Sequence, residues 1–299
     1  MFFYLKSYFG DQEVFSWNKN LQGGHLLISS IKDICSPDDP DILLYRTLKK
    51  PLTHRQQGVF IAEGDKVVNR FLESSLTAVS VLLTNSQLDL FRSTLEQRSE
   101  SIDVFLASAQ LLKEIVGFRY HQGIMAAGIV PENVSLRSVA LETAPPRLFV
   151  ALDRLESAEN TGVIVRNCAA YGAQALLIGP ESTDPYLRRA VRNSMGAIFK
   201  LPVVYASDLP AQLKYLREEH DFCIIAAHPR EESVPLQNAD LCRSLCIVFG
   251  NEGVGISDAV LNQCDMEVQI PMSQGIDSLN VASSSAVFLY EALRQRSGQ

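Results

Sequence analysis

The chain is predicted to be an α/β protein, with a helix-covered parallel sheet in its carboxyl-terminal half and a smaller α/β unit before it. Three observations predict this. The runs LFVAL, QALLIG, FCIIAA and SLCIVFG are apolar and of strand length, the mark of strands buried on both faces. Stretches of helical periodicity separate them, as parallel crossovers require. The chain has 299 residues, 46% of them hydrophobic, which is enough for two cores.

The elements follow in order. Residues 1–40 show little periodicity and close on Ser36-Pro37-Asp38-Asp39-Pro40, a turn-rich boundary, so they read as an amino-terminal extension. Residues 41–130 form the smaller unit. A basic helix is expected around 42–50, a helix from Asp65 to Glu73, a strand over 78–84 and a helix near 86–98. The strand IDVFL, the helix AQLLKEIV and the strand GIMAAGIV complete it. Residues 131–147 hold three prolines and read as a linker. The larger domain, 148–299, opens on LFVAL and a helix from Asn160 to Tyr171. QALLIG, a helix start at Asp184-Pro185, PVVYA, FCIIAA, SLCIVFG, EVQIP and the helix VASSSAVFLYEALRQ follow.

Composition excludes several classes. No apolar run approaches the ~18 residues of a membrane span. MFFYLKSYFG lacks the basic start and long apolar stretch of a signal peptide, so a cytoplasmic, reducing location is expected. The six cysteines are scattered and form no disulfide framework. Cys242 and Cys246 have no second pair at zinc spacing, so no metal is expected, and Cys223 and Cys246 read as small hydrophobes in buried strands. The net charge of −7 argues against indiscriminate nucleic-acid binding. Two windows nevertheless lack acid. One, 42–62, carries Arg46, Lys49, Lys50 and Arg55; the other, 185–207, carries Arg188, Arg189, Arg192 and Lys200. On charge alone these are solvated surface.

Three segments carry candidate chemistry. In the first, Asn160 is placed to cap a helix, Gly162 permits close approach, and Arg166 follows nearly two turns on. Both polar side chains are expected to address one ligand near the helix start. The second is Phe249-Gly250-Asn251-Glu252-Gly253-Val254-Gly255-Ile256-Ser257. Here a strand runs into a glycine-rich loop and a helix, a nucleotide-site geometry without the G-x-G-x-x-G spacing. The third runs from Ile270-Pro271-Met272 to Ser278-Leu279-Asn280-Val281-Ala282, where polar groups crowd a helix start. Each alone also reads as a capped helix or a tight turn.

Their order and spacing within one α/β domain resemble the SpoU (TrmH) family of RNA 2′-O-methyltransferases. The resemblance covers 148–299 and extends more weakly to 42–130, where YRTLKK…GVFIAEGDKVV is similar to the family's amino-terminal RNA-binding domain. It implies a carboxyl-terminal trefoil knot, an L30e-like fold for residues 41–130, and a homodimer formed through the larger domain. It also implies S-adenosylmethionine as cofactor, held by Gly250, Ile270 and Leu279, with Phe249 and Met272 nearby. Arg166 would stabilise the developing alkoxide of a ribose 2′-hydroxyl and hold the neighbouring phosphate. Asn160 would position Arg166 or the ribose, and Glu252, Ser278 and Asn280 would order the loops. RNA would dock on Arg46, Lys49, Lys50, Arg55, Arg188 and Arg192. Ribosomal RNA is favoured over tRNA because of the separate smaller domain. After Asn280-Val281 the chain reads Ala-Ser-Ser-Ser-Ala, more polar than the family's usual run.

Two other function classes were weighed. A non-catalytic RNA-binding or ribosome-assembly protein on this fold would not need Asn160, Arg166 and the 278–280 segment together. An NAD enzyme using the Gly250 loop fails because that loop lies near the chain's end, with no acidic residue ~20 positions on in the required context.

Overall fold

The computed structural model describes residues 28–48, 51–116, 123–230, 232–275 and 278–298. Lys49, Lys50 and most of the stretch read as an extension lie outside them. Among the described residues no helix is long and apolar enough to cross a membrane.

The smaller unit begins earlier than its sequence suggests. β1 (Ile28–Asp33) lies within the presumed extension and pairs parallel to β4 (Ile102–Leu106) at a sheet edge. Its sequence, ISSIKD, carries too few apolar residues to announce a strand. A short 3-10 turn and α1 (Leu43–Arg46) follow, then α2 (Pro51–Gln56). Of the basic helix expected around 42–50, the described part is the short α1, and α2 lies beyond that span. β2 (Val59–Glu63), α3 (Asp65–Leu72), β3 (Ala78–Leu83), α4 (Asn85–Glu96), α5 (Ala109–Val116) and β5 (Ile124–Ile129) complete the unit. The sheet order is β1-β4-β3-β5-β2, with β5 antiparallel to both neighbours.

The presumed linker contains α6 (Leu136–Glu142). Ser135 caps it by accepting from Ser138 N, and Leu136, Val139 and Ala140 are buried at helical spacing. The flanking prolines masked that periodicity.

The larger unit is wound from β6 (Leu148–Asp153), α7 (Ala158–Ala170), β7 (Ala175–Ile178), α8 (Arg188–Asn193), β8 (Val203–Tyr205), α9 (Leu209–His220) and β9 (Cys223–Ala227). β10 (Val234–Pro235), β11 (Leu245–Gly250), α10 (Asp258–Leu261), β12 (Met266–Gln269) and α11 (Val281–Ser297) follow. All its strand pairs are parallel, in the order β10-β12-β9-β11-β6-β7-β8. The helix expected at Asp184-Pro185 starts later, at Arg188. Asp184 instead accepts from Tyr186 N and the Tyr205 hydroxyl.

Alternation along the buried strands sorts the core into layers. Leu148, Val150 and Leu152 face α7 and α11, whereas Phe149 and Ala151 face α6, α9 and α10. The first layer continues into the smaller unit. Phe60 packs on Phe71 (ring centroids 4.9 Å), Phe199 (5.3 Å) and Tyr186 (5.6 Å), so one core runs across both sheets.

From β6 the chain winds outward through β7 and β8, then returns to build β9, β11 and β12 on the other side. The winding reverses between β6 and β11. In open parallel sheets the crevice at the carboxyl ends of such a pair is where ligands bind.

Candidate active site

Asp153 ends β6 and pairs with Gly250, which ends β11. The loops leaving these two positions form the wall of the crevice. Loop 251–257 folds back on itself, with Asn251 and Gly255 exchanging backbone hydrogen bonds of 3.0 Å. A Cβ on Gly250 would lie 2.5 Å from Gly255 C and Ile256 N. This glycine is therefore required by its own loop, before any ligand is considered. The Asn251 side chain holds both loops. Its amide donates to Arg154 O at 2.8 Å, and its Oδ1 accepts from Gly253 N and Val254 N. Asp153 Oδ2 accepts from Ser257 N at 2.7 Å.

The three predicted segments meet at Asn160. Its Nδ2 donates to Glu252 Oε1 at 2.9 Å, and its Oδ1 accepts from Asn280 Nδ2 at 3.1 Å. Glu252 also accepts from Ser157 N (3.2 Å) and Glu156 N (3.3 Å), donors at the positive end of α7. Burial works against ionisation of Glu252, but the Asn160 amide and the backbone N–H groups outweigh it and hold the carboxyl below its ordinary range. Asn280 caps α11, its Oδ1 accepting from Ala282 N (2.9 Å) and Ser283 N (3.4 Å). One helical face further along, Asn167 donates to Ala282 O and to Ser285 Oγ, each at 2.9 Å. The polar serine run thus has a partner on α7. Gly162 faces α8, where a Cβ would lie 2.4 Å from Ala190 O, so it serves helix packing rather than a ligand.

Several expectations need correction. Asn160 is not the helix cap; Ser157 is, accepting from Asn160 N. Six residues turn a helix by about 600°, so Asn160 and Arg166 point about 120° apart. Asn160 faces α11. Arg166 lies on an exposed flank, with no hydrogen bond or ion pair among the described residues. Phe249 is 1% exposed and packs edge-on against Phe288, so its ring is core beneath the crevice and not a wall of it. Ile270 and Met272 are half-buried, and Leu279 is 41% exposed; these three leave apolar surface at the carboxyl ends of the strands. Ser278 is exposed beside them.

Most of the candidate RNA-binding cations are already paired. Arg46 meets Asp38 at 2.5 Å and Arg55 meets Asp184 at 3.4 Å. Arg188 donates to Glu63 at 2.5 Å, and Arg192 lies 3.8 Å from the same carboxylate. Arg188, with a side chain 14% exposed, binds one sheet to the other and offers no free docking charge. Sequence reasoning missed Asp153, Arg154, Ser157 and Asn251. Ser157 was legible as a serine opening an acidic first turn, and Asn251 as an asparagine two residues before glycine.

Comparison with known proteins identifies the family. The profile of the SpoU rRNA Methylase family matches residues 147–290. An uncharacterized tRNA/rRNA methyltransferase of Mycobacterium tuberculosis is 36% identical over 90% of this chain and 93% of its own length. The chain belongs to the SpoU rRNA methylase family. As a SpoU methyltransferase it is also similar to the 23S rRNA (guanosine-2′-O-)-methyltransferase RlmB of Acinetobacter baylyi, at 30% identity over 66% of this chain and 80% of that one. The SpoU methyltransferase AviRb of Streptomyces viridochromogenes superposes with a TM-score of 0.74 at 25% identity, over 87% of this chain and 98% of its own. AviRb has also been crystallised with AdoMet.

Proposed function

We propose that this SpoU methyltransferase moves the methyl group of S-adenosylmethionine (AdoMet) to a ribose 2′-hydroxyl in RNA, with ribosomal RNA as substrate. The observation that carries the reading is the Glu252–Asn160–Asn280 network, which joins three chain-distant loops at the switch point. The RlmB likeness supports a ribosomal target.

The half-exposed apolar trio of Ile270, Met272 and Leu279 suits an adenine ring, and the turn at Gly250 brings backbone donors and acceptors to its edge. AdoMet supplies an electrophilic methyl on a sulfonium. The chain's residues orient and stabilise. Arg166 carries a guanidinium with no hydrogen bond or ion pair among the described residues, suited to a developing alkoxide and a phosphate; a guanidinium donates and has no lone pair to offer as a base. The Asn160 network fixes the loops in register, so orientation supplies much of the acceleration. Gly250, Ile270, Met272 and Leu279 would hold AdoMet, which would give its methyl to the 2′-oxygen and keep the sulfur as a neutral thioether, while the hydroxyl proton would leave to phosphate or water.

The same reading includes a trefoil-knotted carboxyl end, an L30e-like smaller unit and a cytoplasmic homodimer. Both ends of α11 are pinned: Asn280 to α7, and Arg296 to the carbonyls of Leu241, Arg147, Arg243 and Pro146. Val287, Tyr290 and Leu293 form an exposed apolar stripe along α11, with Tyr171 stacked edge-on against Tyr290; this is the surface offered to a second copy.

The test is incubation with AdoMet labelled in its methyl group and unmodified rRNA or tRNA, followed by alkaline hydrolysis. A 2′-O-methyl blocks cleavage at its own phosphodiester. Label in alkali-resistant dinucleotides from rRNA is expected; label in mononucleotides, or none, overturns the reading.

A further inference from the structure

Arg154, in the first position after β6, has a backbone that side chains rarely adopt, with φ +55°. A left-handed conformation costs an ordinary residue about 1–2 kcal/mol and persists only where its surroundings impose it. Here they do. The Asn251 amide holds its carbonyl at 2.8 Å, and the next residue, Leu155, donates its N–H to Ser182 Oγ at 3.2 Å. Clamped this way, the Arg154 side chain stands beside Asp153, its Nε 3.9 Å from Asp153 Oδ1 and too far for a hydrogen bond. That Nε is buried and has no hydrogen-bond partner among the described residues. The side chain as a whole is 36% exposed. A guanidinium therefore stands at the switch point, half covered, with a long ion pair to Asp153 and its Nε hydrogen bond unmade. Leaving such a donor unsatisfied is costly, and a bound anion removes that cost.

Position selects the anion. The apolar trio assigned to the cofactor belongs to the segment after β12. β12 lies three strand spacings from β6, roughly 14 Å. Gly250 pairs with Asp153, and Asn280 bonds to Asn160, so the cofactor loops return to the end of β6 and a ribose accepting the methyl brings its phosphates there. The neighbouring carboxylate of Glu252 is occupied by its own loop donors, and Arg188, the most buried described cation of the two basic windows, is taken by Glu63. We infer that Arg154 binds a phosphate of the substrate RNA next to the reacting ribose, with a planar fork matched to two phosphate oxygens. This rests on the RNA methyltransferase reading and adds a binding residue that lies outside the three predicted segments.

Arg154→Gly is the decisive variant, because glycine accepts the left-handed backbone while the guanidinium is lost with its side chain. Arg154→Lys keeps the charge and loses the fork. Each protein is titrated with in-vitro-transcribed 23S rRNA across a salt series, and with AdoMet by calorimetry. The expected result for Arg154→Gly is RNA affinity weaker by roughly tenfold or more, a salt slope smaller by about one, and unchanged AdoMet affinity. Arg154→Lys should retain the slope and recover only part of the affinity. Unchanged RNA affinity and slope in Arg154→Gly would overturn the inference. So would a loss confined to AdoMet, which would assign the guanidinium to the cofactor's carboxylate. A wild-type protein that binds AdoMet but no RNA would instead overturn the broader reading, and the two failures are separable.

Discussion

Arg188 on α8 donates to Glu63 at the end of β2 across 2.5 Å, and the carboxylate is only 5% exposed. This pair joins the two sheets beside a continuous aromatic core. Glu63→Gln removes the carboxylate charge facing Arg188 in a largely buried junction, which costs about 3–5 kcal/mol when one partner of a buried pair is removed. Urea denaturation should show that loss, and the double variant Glu63→Leu/Arg188→Met should recover most of it. Equal stabilities for Glu63→Gln and wild type would refute the role.

Asn160→Ala removes both bonds of the central amide. Each such bond contributes about 0.5–1.5 kcal/mol, more to a charged partner, so stability should fall by roughly 1–3 kcal/mol. Methyl transfer should fall much further, by about a hundredfold, because small displacements at a reacting centre are costly. Steady-state rates compared with melting curves separate the two effects.

Glu252 links folding to acid. Its folded pKa lies below the ordinary carboxylate value, so the contribution it makes is complete at neutral pH. That contribution is lost as pH falls through the folded value. The difference in urea midpoint between wild type and Glu252→Gln should be constant from neutral pH down to about 5 and shrink below about 4. A difference that grew on acidification would contradict the assignment.

Gly250→Ala places a methyl 2.5 Å from backbone atoms that cannot yield as a flexible side chain would. The loop must open to accommodate it. AdoMet affinity should drop by at least about tenfold and stability by about 1–3 kcal/mol, the range for overpacking. Calorimetry against a thermal melt measures both.

Arg296 donates to the carbonyls of Leu241 (3.0 Å), Pro146 (3.4 Å), Arg147 (2.9 Å) and Arg243 (2.7 Å). Only a planar fork spans so many acceptors, so Arg296→Lys should fail to replace it and Arg296→Ala should lower stability by about 2–4 kcal/mol. Full stability in the lysine variant would show that charge alone suffices.

The buried strands were legible because parallel strands covered on both faces must be apolar at every position. β1 was not, since an edge strand such as ISSIKD needs fewer apolar contacts. α6 was hidden by prolines that bound it without entering it. Asn160, Glu252 and Asn280 could be picked out only jointly, because three loops far apart in the chain make one hydrogen-bonded set. The pairing inside the basic windows was hidden for a related reason. A run of cations carries no trace of a carboxylate 125 positions away, and Glu63 is what claims Arg188.

α11 starts at the crevice with Asn280 and is fastened by Arg296 at the amino ends of the central strands β6 and β11. Asn160 therefore waits for a partner translated 120 residues after it. The crevice is finished only when this helix has left the ribosome and docked. Until then the growing polypeptide has the strands of the domain but not the Asn160–Asn280 bond that closes its crevice.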